Sequence, residues 1–388
     1  MATTRNQLKR GGAWRTHLGA RHAPPRLHLT TDTYLIQTQP GLESVAMAEA
    51  ALRSRGVREL GARAVPGRAG IAILDAPSPA GLPAMRTAED VFALVGYHRA
   101  PAAADLLDRI SATVHTSPLI ANALPTRLLF TPGVRSGRRL RFRVVTRMIG
   151  EHEFRRVNLQ SAVERAISAR NDHTWRLTDE GADVEFWATL LDREFFLAIR
   201  LSDSSMRSRD YKVAHMPGSL RPSVAAALGM LSDPQPEDIV LDPFCGVGTI
   251  LIERAHLGRY ARLIGGDRDD GALAMARENL GSRYQPIALN CLDATAVPMP
   301  QHSVTRIITN LPWGMRHGSH AENRRLYPRL LTEFRRLIHP RGRIVMLTAE
   351  TRLMGELLRK GALHLERSLP VTILGARAAI YICRPADG

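Results

Sequence analysis

The chain has 388 residues, enough for two or three domains, and 44% of them are hydrophobic, which excludes wholesale disorder. Lys and Arg number 53 against 37 Asp and Glu, a net charge of +16 that favours a polyanionic partner. The three cysteines, Cys245, Cys291 and Cys383, form no CxxC pair, which excludes zinc-site spacing and a disulfide framework.

Residues 1–30 carry six Lys/Arg and no acid; Asp32 is the first. Gly11-Gly12 and Pro24-Pro25 interrupt any periodicity, so a flexible basic arm is expected. From Tyr34 the pattern changes. "TYLIQTQ" is strand-like, "LESVAMAEAALRSRG" has helical apolar spacing closed by Gly56, and "AGIAIL" is a second strand. "PAMRTAEDVFALVGY" is expected to form another helix. Together, 32–104 make a small α+β domain.

Residues 126–147 hold seven arginines and no acid. Within them, "LRFRVVTR" alternates Arg141 and Arg143 with Leu140, Phe142 and Val144, which on a strand puts charge on one face and apolar side chains on the other. With Arg138 and Arg139 beside it, this face is expected to contact nucleic acid. A helix, "NLQSAVERAISAR", and a hairpin of "DVEFWATLL" and "EFFLAIRL" around Asp192-Arg193 follow.

Beyond Pro217, apolar strands ("DIVLDPF", "RLIGGD", "PIALNCLD", "RIITNLPW", "GRIVMLT") alternate with helical segments. That predicts a parallel, doubly wound sheet. Ligands in such sheets bind beyond the carboxyl ends of the strands. "LDPFCGVGT" is strand, glycine turn and helix; Gly246 and Gly248 let a ligand approach the backbone. Leu251 replaces the third glycine of the dinucleotide fingerprint, and no P-loop is present. Asp267 ends the next strand, where an acid can bind a ribose diol, and Asp293 ends the third, where a carboxylate can accept from an adenine amine. An adenosyl ligand without pyrophosphate-binding glycines points to S-adenosylmethionine.

"TNLPWG" (309–314) ends the fourth strand of this series. Asn310 offers a side-chain carbonyl and Leu311 a main-chain carbonyl. Pro312 holds the turn rigid. Trp313 offers a face on which a base can stack, one that phenylalanine would retain, and Gly314 leaves room. Two rigid acceptors can take both hydrogens of an exocyclic base amine and aim its lone pair at an electrophilic methyl group. Asn310 is no strong base, so the proton leaves after transfer.

"DPFCGVGT" and "NLPWG" resemble the cofactor loop and the (N/D)-P-P-(Y/F/W) motif of Rossmann-like exocyclic-amino methyltransferases, with Leu311 where proline is commoner. "RDYKVAHMPGSLRPSVAAALGML" (209–231) is similar to the stretch before the first core strand of THUMP-domain RNA guanine-N2 methyltransferases, and the arginine-rich stretch through the hairpin resembles the THUMP domain itself. The resemblance implies four units: a basic arm, 1–30; a ferredoxin-like domain, 32–104; a THUMP RNA-binding domain, 105–203; and a methyltransferase domain, 204–388, whose mostly parallel sheet carries an antiparallel C-terminal strand. It implies cofactor contacts from Gly218, Ser219, Leu220, Asp242, Gly246, Gly248, Asp267, Asp293, Ala294 and Asn310. Catalysis would use Asn310, Leu311, Pro312 and Trp313, and RNA binding Arg138, Arg139, Arg141 and Arg143. The implied reaction is N2-methylation of a guanosine in tRNA, at the sixth nucleotide of the acceptor stem, with the THUMP domain on the CCA end. A ribosomal RNA substrate, or an RNA-binding protein with an inactive site, are the alternatives. A cytoplasmic monomer without metal or membrane partner is expected.

Overall fold

The computed structural model describes residues 27–385 except 100–104, 135, 136, 138 and 315–318. Most of the basic arm and Arg138 therefore lie outside the described residues.

The first half builds one sheet. In chain order it contains β1 (Thr33–Thr38), α1 (Glu43–Arg53), β2 (Arg58–Val65), β3 (Ala69–Asp75), a 3₁₀ turn (Pro79–Ala84), β4 (Asp90–Arg99), α2 (Leu106–Thr116) and α3 (Leu119–Phe130). There follow β5 (Arg139–Ile149), α4 (Arg156–Ser168), β6 (Thr174–Leu177), β7 (Val184–Leu191) and β8 (Glu194–Arg200). The eight strands run β2-β3-β1-β4-β8-β7-β5-β6. The stretches 32–104 and 105–203 thus share a sheet, joined where β4 pairs antiparallel with β8, Phe92 opposite Arg200 and Ala93 opposite Ile199. Apolar residues of α1 to α4 pack with Tyr34, Ile36, Leu140, Phe142 and Phe186 into a core on one side of the sheet.

One expected element is corrected. "PAMRTAEDVFALVGY" is not a helix: its second half is strand β4. Val91 to Val95 are buried between β1 and β8, with core on both faces. A strand covered on both sides carries an unbroken apolar run, and such a run has no period that separates it from a helix.

The second half comprises α5 (Pro222–Leu231), β9 (Ile239–Asp242), α6 (Thr249–His256), β10 (Arg262–Asp267), α7 (Asp270–Leu280), β11 (Ile287–Cys291) and β12 (Val304–Asn310). It ends with α8 (His320–Leu337), β13 (Ile338–Thr348), α9 (Thr351–Arg359), β14 (His364–Ile373) and β15 (Ala376–Arg384). The strand order is β11-β10-β9-β12-β13-β15-β14. Strands β9 to β13 are parallel; β15 is antiparallel to β13 and to β14. The order reverses beside β9, which opens a crevice at the carboxyl ends of β9 and β12. Local chemistry fixes the helix starts there. Asp269 caps α7 by accepting from the Gly271 N–H, and Ser319 and Glu322 form a reciprocal capping box on α8.

The two halves dock at backbone level. The Pro40 carbonyl accepts from the Thr372 N–H at 3.0 Å. Leu42 and Val45 enter the apolar cluster of Val371 and Ile373. The fully buried Glu253 of α6 takes a two-pronged ion pair from Arg86, at 2.5 and 3.0 Å, and a hydrogen bond from the Tyr211 hydroxyl at 2.7 Å. Among the described residues no helix is long and apolar enough to cross a membrane, and no cluster of three or more His, Cys, Asp or Glu could hold a metal ion.

Candidate active site

The sheet brings the carboxyl ends of β9, β10, β11 and β12 together, and with them Asp242, Asp267, Asp293 and Asn310. The glycine turn after β9 is held from both sides. Cys245 N–H donates to the Gly266 carbonyl at 2.8 Å, and Gly246 N–H donates to Asp267 Oδ2 at 2.9 Å. Gly248 starts α6 at φ +81°, a conformation that side chains with a Cβ rarely adopt. Asp267 Oδ1 accepts from the Asp269 N–H at 3.0 Å, so each oxygen holds one backbone donor and keeps a free lone pair.

Asp242 is fully buried. Burial pushes its carboxyl up to about 7, opposed by the nearby Thr309 hydroxyl and the Phe244 N–H, and reinforced by the charge of Asp267. Phe244 N–H reaches Oδ1 at 3.2 Å, but neither Oδ2 nor Thr309 Oγ1 has a partner in hydrogen-bonding geometry. Two orphaned polar atoms at a strand end are costly unless something else pairs with them. Asp293 is more exposed: Oδ1 accepts from Thr295 N–H and hydroxyl, while Oδ2 meets Arg268 at 2.7 Å. The Thr295 amide, followed by its hydroxyl and Arg268, holds this carboxyl below its ordinary range despite partial burial. Ala294 beside it is buried.

Gly218, Ser219 and Leu220 lie in the segment before α5. It is tied to the glycine turn by a residue that sequence reasoning missed: Asn279 of α7. Its side-chain amide donates to the Val247 carbonyl at 3.0 Å and to Ala214 O at 3.1 Å, and its oxygen accepts from Ala214 N–H at 2.9 Å. No motif marks Asn279, because its partners are distant in the chain.

The slot at the end of β12 is tightly braced. Trp313 Nε1–H donates to Asn310 Oδ1 at 3.0 Å. An indole nitrogen only donates, so this bond fixes which way the amide faces and leaves Oδ1 one further lone pair. The Pro312 carbonyl accepts from Tyr327 Oη at 2.6 Å and Asn323 Nδ2 at 3.0 Å; Tyr327 in turn pairs with the Thr348 hydroxyl. The Pro312 carbonyl is therefore taken up by the scaffold. Leu311 N–H is anchored to the Leu347 carbonyl, whereas among the described residues nothing donates to the Leu311 carbonyl. Gly314, at φ +68°, sits so close to Glu350 that a Cβ would come 2.9 Å from its Oε1. Glu350 also pairs with Asn323 and His320.

The THUMP-like face is less purely basic than its own strand suggests. Arg139, Arg141 and Arg143 are exposed along β5. The parallel register with β7 sets Asp183 against Arg141 and Glu185 against Arg143 as ion pairs. These arginines and the slot belong to different sheets and do not form one cluster.

The buried Asp242 gives a pH prediction. Its folded value, about 7, exceeds the ordinary 3.8, so between those limits the folded protein holds a proton that the unfolded chain releases. This contribution favours folding at acidic pH and is lost as pH rises through about 7. In the ligand-free protein, Asp242→Asn should flatten the stability profile: its Tm gain over wild type should grow from about pH 4 to about pH 7, with roughly half of it already present at pH 5.5. Parallel Tm profiles for the two proteins would contradict it.

Residues 209–374 match the family model of the UPF0020, RMKL-like methyltransferase domain. The chain is 32% identical over 261 residues to a human protein named tRNA (guanine(6)-N(2))-methyltransferase THUMP3, covering 63% of this chain and 51% of that one. It therefore spans about half the length of this relative. A Thermus thermophilus protein named tRNA (guanine(6)-N2)-methyltransferase is 34% identical over 222 residues, covering 57% of this chain and 65% of that protein. Among solved structures, TrmN from Thermus thermophilus matches with a TM-score of 0.73 and 25% identity, over 91% of this chain and 99% of the other. Taken with the glycine turn and the braced Asn-Leu-Pro-Trp turn, these matches identify residues 209–374 as a UPF0020, RMKL-like methyltransferase domain, in a chain similar to proteins named as tRNA guanine-N2 methyltransferases.

Proposed function

We propose that the protein is a cytoplasmic enzyme that transfers a methyl group from S-adenosylmethionine to the exocyclic N2 amine of a guanosine in tRNA, at the sixth nucleotide, in the acceptor stem. The observation that carries this reading is the slot: two carbonyl acceptors, Asn310 Oδ1 and Leu311 O, on a turn whose Leu311 N–H, Pro312 carbonyl and Trp313 indole N–H are already engaged.

The residues present suit the cofactor. Asp267 keeps a lone pair on each oxygen for a diol, Asp242 Oδ2 is an orphaned acceptor suited to a cationic amino group, and Gly246, Gly248 and the 218–220 segment complete the wall. When bound, S-adenosylmethionine supplies a methyl group already activated by its sulfonium. Positioning is then a large part of the work left to the protein. Asn310 and Leu311 accept the two amine hydrogens, drawing electron density onto nitrogen and fixing the direction of its lone pair. Trp313 offers a face for the base. The proton is lost to solvent after transfer, because Asn310 cannot take it.

The test is single-turnover transfer of labelled methyl from S-adenosylmethionine to unmodified tRNA, with mass-spectrometric mapping of the product. N2-methylguanosine at the sixth nucleotide is expected. Label appearing only in ribosomal RNA would replace the substrate, and no transfer to any RNA would overturn the reading.

A further inference from the structure

Glu350 belongs to no sequence motif, yet the fold sets it beside the slot. It follows β13, whose Leu347 lies in parallel register with Asn310 of β12, so Glu350 and the Asn-Leu-Pro-Trp turn share the carboxyl edge of the sheet. The Glu350 backbone N–H donates to Thr348 Oγ1 at 2.9 Å, and Thr348 pairs with Tyr327, which holds the Pro312 carbonyl. One buried amide joins its side chain to the same carbonyl: Asn323 Nδ2 donates to Pro312 O at 3.0 Å and to Glu350 Oε1 at 3.1 Å. Gly314 has no Cβ, so the backbone that follows Trp313 lies directly against the carboxylate.

The carboxylate still has acceptor capacity. Asn323 occupies one lone pair of Oε1, and His320 Nδ1–H, at 2.7 Å, one of Oε2; each oxygen keeps another. The Glu350 side chain is 11% exposed, and among the described residues no arginine or lysine pairs with it. In a protein of net charge +16, a negative group beside the slot works against the phosphates of an RNA substrate. A hydrogen-bond donor on the base itself would offset that repulsion.

Guanine has such a donor. When its 2-amine is held by Asn310 and Leu311, N1–H lies to one side of the amine and the N3 lone pair to the other. Resting on the guanosine reading above, we propose that Glu350 accepts the N1–H of the target guanine and sets the base specificity of the slot. The bond is charge-assisted and therefore strong. It also pushes electron density through the ring toward the 2-amine, whose lone pair is otherwise delocalised, so the same contact favours attack on the methyl group. Adenine lacks the 2-amine and is refused by the slot alone. A purine with a 2-amine but no N1–H, such as 2,6-diaminopurine, is refused by Glu350, because its N1 lone pair would face the carboxylate.

The test compares single-turnover methyl transfer to two synthetic tRNAs that carry guanosine or 2,6-diaminopurine at the sixth nucleotide, each opposite uridine. The wild type should favour guanosine roughly hundredfold. In Glu350→Gln the amide can turn its NH2 toward the N1 lone pair of diaminopurine, so the preference should fall by about tenfold or more, with S-adenosylmethionine affinity unchanged. Loosening of the Asn323 and His320 contacts would slow both substrates alike, so the ratio within one enzyme separates base reading from bracing. Equal wild-type rates on the two tRNAs would overturn the proposal without any variant. A folded Glu350→Gln enzyme that keeps the wild-type preference would also overturn it and leave the guanosine reading intact. A wild type that methylates neither tRNA would overturn that reading, and the proposal with it.

Discussion

Asn310→Ala is expected to bind S-adenosylmethionine and tRNA nearly as the wild type does and to lose ~100-fold or more in turnover. Removing one oriented hydrogen-bonding group from a preorganised site commonly costs that much. The loss belongs in kcat, because the amine needs both acceptors most when its lone pair is committed to the methyl group. Trp313 sharpens the test. Sequence reasoning expects phenylalanine there to keep the stacking face, but the structure gives Trp313 a second task, holding the Asn310 oxygen with its indole N–H. Trp313→Phe should therefore lose about tenfold in kcat, roughly one hydrogen bond's worth. Single-turnover rates alongside thermal melts decide. An Asn310→Ala enzyme with full turnover would remove the slot from the mechanism.

Glu253→Ala should be the most destabilising of the substitutions considered. It strips the counter-charge from Arg86 and from the nearby Arg209 and leaves the Tyr211 hydroxyl without its acceptor in a buried site. Breaking a buried ion pair from one side costs about 3–5 kcal/mol, because the surviving charge stays buried. For a unit of this size that is a fall of roughly 10 °C in Tm. The double variant Arg86→Met/Glu253→Met should recover part of the loss, since Arg86 is no longer an orphaned charge and only Arg209 keeps one. A single variant melting with the wild type would mean that the clamp contributes nothing.

Legibility in the sequence followed the distance over which each feature is encoded. The alternation β9-α6-β10-α7-β11 could be read because apolar period and turn residues are local signals. So could the glycine turn and Asn310 to Gly314, each a short contiguous motif. The carboxylates facing Arg141 and Arg143 could not, because they depend on a register between β5 and β7 that only the folded sheet defines. Asn279 was invisible for the same reason. Strand β4 was misread because its burial on both faces erased the alternation that marks a strand. The Trp313–Asn310 bond spans three residues, yet it depends on the path of a turn, which residue types alone do not specify.

The shared eight-stranded sheet also has a kinetic consequence. Strand β4 emerges from the ribosome early, but its outer partner is β8, with Phe92 opposite Arg200. Until residues 194–200 are synthesised, β4 presents a bare edge beside β1, lined by Phe92, Leu94 and Tyr97. An unpaired apolar edge is a template for association with other chains. Closing such a long-range pair is slow, because loop entropy is spent before the contact forms. A nascent chain of this protein therefore passes through a long window in which it is aggregation-prone, and a fragment cut near residue 104 would remain in that window permanently.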